Sequence, residues 1–261
     1  METGLKKYWD TVTMAKRCVL LSARNPDTLL TSVIMPVMMM VLFVALFGKL
    51  IRVENMSYVD YIIPGVLMQC FGQCSSVTAI TVNRDVTGGM ARRFSVLPVK
   101  TSSVLLGYTT EAFFRNMLTA FVVLTVSLFF GFSPKAAPGD WCIILLLLSG
   151  VIFAFSWIAV FVGIKAGSPE GASSFLTLVI VLPYLSSGFV PVEAMPKALA
   201  FFAEHQPMTP VINTVRSAIL GNTWEIKDFV IAILWCAGFC GVFWNVCEGI
   251  KKEKSTAQLR E

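Results

Sequence analysis

NRDVTGGMARRFSVLP, residues 83–98, is a polar island between two long apolar runs. An acid (Asp85), adjacent glycines (Gly88, Gly89) and an arginine pair (Arg92, Arg93) surround a short run in which Met90, Phe94 and Leu97 recur at helical spacing. One turn per step puts those three on one face and the arginines elsewhere. Such a segment lies on a membrane surface or docks into a groove of a partner protein. What flanks it decides the fold.

The flanks are greasy. Of 261 residues, 56% are hydrophobic and only 14% charged, where a soluble domain carries roughly a quarter. A bilayer crossing needs about 20 consecutive, mostly apolar residues, and six stretches qualify: about 29–47, 61–82, 104–132, 141–164, 172–190 and 229–247. The chain therefore reads as one all-α integral membrane domain over 1–261. No short apolar core with a small-residue cleavage site opens it, so no cleavable signal peptide is expected.

Between the spans the signals are local. Residues 3–23 place Leu5, Tyr8, Trp9, Val12, Ala15 and Val19 on one face, with Lys6, Lys7, Lys16 and Arg17 elsewhere. That pattern predicts an amphipathic interfacial helix resting on membrane lipid; a merely basic juxtamembrane tail is the alternative. Asn25-Pro26-Asp27 ends it and starts the next helix. Pro191, Pro196, Pro207 and Pro210 delimit two short helices, about 193–204 and 208–220, each too short to cross. They predict a re-entrant or surface-lying hairpin over 191–221, just before the last span.

Six spans put both termini on one side. Fourteen Lys and Arg fall on that side, including Arg17, Arg84, Arg92, Arg93 and Lys165; six fall on the other, including Lys135, Lys197 and Arg216. The positive-inside rule makes the termini and the 84–98 segment cytoplasmic, and the hairpin external. The basic residues sit in short inter-span segments, a pattern without a nucleic-acid-binding signature.

Polar residues inside the spans are the candidate functional groups. Gln69, Gly72, Gln73 and Ser76 form a small or polar stripe, read either as inter-helix packing or as a substrate-facing surface. Glu111 and Arg115, four apart, read as a structural pair, with Glu111 at the interface and Arg115 snorkelling back to it. Cys236, Cys240 and Cys247 share helical spacing, but no histidine accompanies them and packing is the simpler reading. Neither a P-loop, nor HExxH, nor a Ser/His/Asp set occurs, and the single histidine, His205, falls on the hairpin. The chain reads as a non-enzyme whose energy comes from elsewhere.

Two motifs, NRDVTGGMARRFSVLPV (83–99) and SSGFVPVEAMPKALAFFAEHQPMTPVINTVRSAILG (186–221), give the chain a resemblance to the type-2 ABC exporter permeases. The first resembles the family's acidic-Gly loop ending in Leu-x-x-x-Pro, although Thr87, Gly88 and Gly89 stand where a single Gly is usual. The second resembles its Pro-rich external segment, nearest to the daunorubicin-type drug-exporter branch. The resemblance covers essentially the whole chain. It implies two ABC ATPase subunits and a second permease, as a homodimer, in the cell membrane. ATP and Mg would be bound by the ATPases and no cofactor by this chain. It further implies ATPase docking through Asp85, Gly88, Gly89, Met90, Arg92, Arg93, Phe94, Leu97 and Pro98. A path for small amphipathic substrates would run along Gln69, Phe71, Gln73, Phe175, Tyr184 and Ser187, and Pro36, Pro183 and Gly188 would serve as hinges. Two rival readings are a lipid-linked glycan exporter with the same fold, and an ATP-independent carrier, which should show inverted repeats.

Overall fold

The computed structural model describes residues 12–20, 26–48, 56–89 and 101–258. Among them the protein is helical throughout, with no strand. Helix α1 covers 12–20 and α2 Pro26–Phe47, with Pro36 inside it. The long helices α3 (Tyr58–Thr87), α4 (Thr101–Phe129) and α5 (Pro138–Lys165) follow. Next come α6 (Pro169–Val181), 3-10 turns at Leu182–Leu185 and Val192–Ala194, and the short helices α7 (Lys197–His205) and α8 (Met208–Ile219). Helix α9, Ile226–Gln258, ends the described chain.

Four of these are long and apolar enough to cross a membrane: α3, Ser103–Phe129 of α4, α5, and Ile226–Val246 of α9. Ser32–Phe47 and Pro169–Leu185 are shorter apolar helical stretches. Each boundary has a local cause. Ser57 caps α3, its Oγ accepting from the Asp60 N–H at 3.2 Å, which satisfies one of the orphan amides of a first turn. Pro138 opens α5, where the missing N–H costs nothing, and Asp140 reaches back to the Ala137 N–H at 3.0 Å. Ser168 caps α6 through the Gly171 N–H at 3.1 Å.

One boundary departs from the sequence reading. The segment expected to separate from the second span at residue 84 does not: Arg84–Thr87 continue α3 to its cap at Gly88, and Gly89 then takes a positive φ of 77°. A separate segment therefore begins no earlier than Gly88. Over 172–190, where Pro183 and Gly188 were expected to interrupt the fifth span, the α-helix stops at Val181. Pro183 has no N–H to continue the ladder, and its carbonyl accepts from the Ser186 N–H and Oγ instead.

Helix α3 is the axis of the molecule. It packs against α2, α4, α5, α6 and α8, while α9 lies outside against α5 and α8. Of α3's apolar window 78% is buried, against 6% for α9, so one is core and the other rim. Ile62, Leu67 and Phe71 of α3 are fully enclosed with Met40 of α2, Ile152 of α5 and Ile212 of α8. A second cluster joins α1 to the Thr87 end of α3: Met14, Cys18, Val82, Val104, Tyr108 and Trp157.

Candidate functional site

The Thr87 end of α3 is a joint between three helices. Gly107 of α4 lets α1 approach until a Cβ there would stand 3.0 Å from the Met14 Cβ. Met14 and Cys18 turn inward, and Val12, Val19 and Leu20 stay exposed. The sequence reading had put Val12, Ala15 and Val19 on a face resting on membrane lipid; Val12 and Val19 are exposed, and Met14 and Cys18 make the contact with the protein. Arg17, expected away from that lipid-facing side, donates to Asp85 Oδ2 from Nη1 at 3.3 Å and from Nη2 at 3.4 Å. The Tyr108 hydroxyl donates to the same oxygen at 2.5 Å. Burial, the largest influence on Arg17, lowers its pKa, but Asp85 outweighs it and the net shift is upward. Burial pushes the neighbouring Cys18 thiol up to about 11. Asn83, one turn before the end of α3, donates to the Gly163 and Ala166 carbonyls at 3.0 and 2.7 Å, so it ties α3 to the last turn of α5.

Of the other predicted docking residues, Gly88 donates its N–H to the Arg84 carbonyl at 2.8 Å and Gly89 makes the positive-φ turn. Met90, Arg92, Arg93, Phe94, Leu97 and Pro98 lie outside the described residues.

Midway along α3, Arg115 of α4 donates to Glu111 Oε1 at 2.8 Å. Both side chains are buried, and the guanidinium reaches back one turn to Glu111. It enters the protein, where Nη2 bonds the Cys74 carbonyl at 3.1 Å and Thr78 Oγ1 at 2.5 Å. A charge inside a span is held this way when protein rather than water supplies its partners. Thr119 Oγ1 stands 3.7 Å from the Cys74 sulfur and extends the same polar seam.

The polar stripe of α3 meets α6. A Cβ on Gly72 would sit 3.2 Å from the Ile180 Cα, and Ser76 Oγ lies 3.2 Å from Ser173 Oγ. The six predicted pathway residues do not share one surface. Gln69 and Phe71 are buried, Gln73 is half-buried, and Phe175 of α6 is 58% exposed beside Leu178 and Val181. Tyr184 stacks on Phe189 with ring centroids 4.7 Å apart. Ser187 is buried and donates to Asn213 Oδ1 at 2.8 Å.

The Tyr58 end of α3 carries a constellation that the sequence reading did not assemble. Arg216 of α8 lies over the Tyr61 ring, 3.8 Å from its centroid, a cation–π geometry. Its Nε donates to the Tyr61 carbonyl at 3.1 Å and its Nη1 to Asn213 Oδ1 at 3.2 Å, while Nη2 reaches the Ser187 carbonyl. The Tyr61 hydroxyl joins at that carbonyl, 2.8 Å away. The only early signal was an arginine on a helix whose other face is strongly apolar. Gly65 and Gly188 make the contact possible: a Cβ on Gly65 would stand 2.6 Å from the Gly188 carbonyl oxygen. His205 stays on the exposed side of α7, its Nδ1 2.8 Å from the Phe201 carbonyl.

The described helices form a multi-pass membrane domain built on one enclosed span, with a polar cluster at each end. The profile of the family described as ABC-2 type transporter matches residues 10–220, and the chain belongs to that family. It is similar to the daunorubicin resistance ABC transporter permease protein DrrB1 of Streptomyces coeruleorubidus, 26% identical over 238 residues, which span 89% of this chain and 82% of that protein. It is also similar to the protein named "Probable doxorubicin resistance ABC transporter permease protein DrrC" of Mycobacterium tuberculosis, 25% identical over 224 residues, 84% of this chain and 80% of that one. The chain is thus the membrane subunit of an ABC transporter, and membership of the family implies an ATPase partner.

Proposed function

We propose that this permease exports drugs or other small amphipathic molecules across the cell membrane, driven by two ABC ATPase subunits that bind the ATP and Mg. Two copies of the permease would form the path. The names of its relatives, both drug-resistance permeases, support the substrate class.

Six spans, α2 to α6 and α9, would place the termini in the cytoplasm. One observation supports that arrangement best: the contacts sort the charged loops into two ends. Arg17, Asp85 and the α5 terminus at Ala166 gather at one end. The opposite end joins Asp60 to Ser133, Lys135 to Ile219 and Arg216 to Tyr61. Those are the two groups that the positive-inside rule separates. The α7–α8 hairpin would then be external and the segment 88–98 would meet the ATPase. In the assembled dimer, the exposed α6 face around Phe175 and the half-buried Gln73 would border the substrate path. An apolar wall with few polar groups suits amphipathic ligands.

Co-expression with an ABC ATPase, followed by ethidium accumulation in inverted vesicles, tests this reading. ATP-dependent accumulation that needs both chains and stops with a hydrolysis-dead ATPase is the expected result. A stable complex that moves no ethidium or other amphipathic dye would overturn the substrate class. No complex with any such ATPase would overturn the docking scheme.

A further inference from the structure

We propose that Arg17, Asp85 and Tyr108 form a mechanical joint that makes α1, the last turn of α3 and the first turns of α4 move as one body. Asp85 would be its positioning residue, transmitting force between helices. The inference rests on the reading of the chain as an ATP-driven permease and revises one part of it: Asp85 acts inside the subunit rather than on the ATPase.

Three independent contacts converge on this place. The first is polar. One carboxylate oxygen, Asp85 Oδ2, accepts both Arg17 nitrogens and the Tyr108 hydroxyl, so an atom of α3 is held by α1 and by α4. Both guanidinium nitrogens share that one oxygen at 3.3 and 3.4 Å, and the short Tyr108 bond adds a third point of attachment. The second is steric. Gly107 brings the α4 backbone against the Met14 and Ala15 backbone, at 3.1 Å to the Met14 carbonyl carbon from a notional Cβ. The third is apolar, with Met14 and Cys18 packed among Val82, Val104 and Tyr108.

The position explains why a joint belongs here. Thirty residues make α3 about 45 Å long at 1.5 Å per residue, against roughly 30 Å of hydrocarbon. Its Thr87 end therefore projects beyond the hydrocarbon, next to the segment 88–98. A push on that segment alone would meet a single helix end. With Asp85 engaged it moves α1, α3 and α4 together, and α3 carries the displacement to Tyr61 and Arg216 at the other end. Unlike a passive brace, such a joint couples ATP hydrolysis to transport, and the two roles differ in what they lose when it is broken.

Hydrogen–deuterium exchange on the purified permease tests the joint without any partner. Slow exchange at residues 12–20 in the natural protein, at least tenfold faster exchange in Asp85→Asn, and recovery in the exchanged pair Arg17→Asp with Asp85→Arg are expected. Unchanged protection in Asp85→Asn would overturn the joint. In the complex with its ATPase, ethidium moved per ATP hydrolysed is expected to fall at least fivefold in Asp85→Asn and to recover in the exchanged pair. A loosened α1 with an unaltered ratio would overturn the coupling role and leave only a brace. Failure of the natural protein to assemble with an ATPase would count against the exporter reading, whereas the exchange result bears on the joint alone.

Discussion

The guanidinium of Arg115 serves three neighbours at once, Glu111 on its own helix and the Cys74 carbonyl and Thr78 on α3. Burying such a pair gains little over an apolar pair, but removing one member strands the other. Arg115→Met takes the guanidinium away from Glu111, and Glu111→Gln takes the carboxylate away from Arg115. Each is expected to cost about 3–5 kcal/mol, read as a lowered unfolding midpoint of the purified protein in detergent. Arg115→Met combined with Glu111→Gln should cost clearly less than the two losses added together, because neighbours in one network are not additive. Strict additivity would mean that the two charges do not depend on each other.

At the scale of elements, close approach rather than propensity decides which helices touch. Gly65 brings α3 against the loop after α6, and a Cβ there would stand 2.6 Å from the Gly188 carbonyl oxygen and 2.8 Å from its Cα. Backbone cannot swing aside as a side-chain tip does. Gly65→Ala is therefore expected to cost about 1–3 kcal/mol, the usual range for overpacking, measured by thermal unfolding. Gly139, in the first turn of α5, has nothing within 4 Å of its notional Cβ, so Gly139→Ala should leave the midpoint unchanged or raise it slightly. Equal effects at the two sites would contradict the packing described. This scale also shows what the sequence can and cannot reveal. The apolar runs and proline marks make the helices legible, because hydrocarbon demands uninterrupted apolar length. The extension of α3 past Val82 was not legible. Arg84 and Asp85 read as the start of a separate helical segment over 84–98, yet they continue α3, where Asn83 finds α5 and Asp85 finds α1 and α4. Those partners lie 80 and 68 residues away for Gly163 and Arg17. The Arg216 constellation was hidden for the same reason, since Tyr61 is 155 residues distant.

For the whole molecule, α3 is both the most enclosed of the four long helices and the least apolar of them. That combination sets the order in which the chain enters its bilayer. A nascent chain delivers α3 early, yet two of the helices against which it packs most, α5 and α6, are made later. Lipid is a poor substitute for them around a helix carrying Gln69, Gln73 and Ser76. Helix α3 is therefore expected to wait, shielded by the insertion machinery, until α5 and α6 emerge. Cys70, fully buried in the finished fold, reports on this. In translation products truncated after Phe132 it should react with a membrane-permeant thiol reagent, and in products extending through Val190 it should be protected. Equal protection in both would show that α3 settles with its early neighbours alone. The protein's central helix is thus added near the beginning of synthesis but becomes a stable span only late in it, and variants that weaken its contacts with α5 and α6 should be cleared during biogenesis before they ever reach the point of transport.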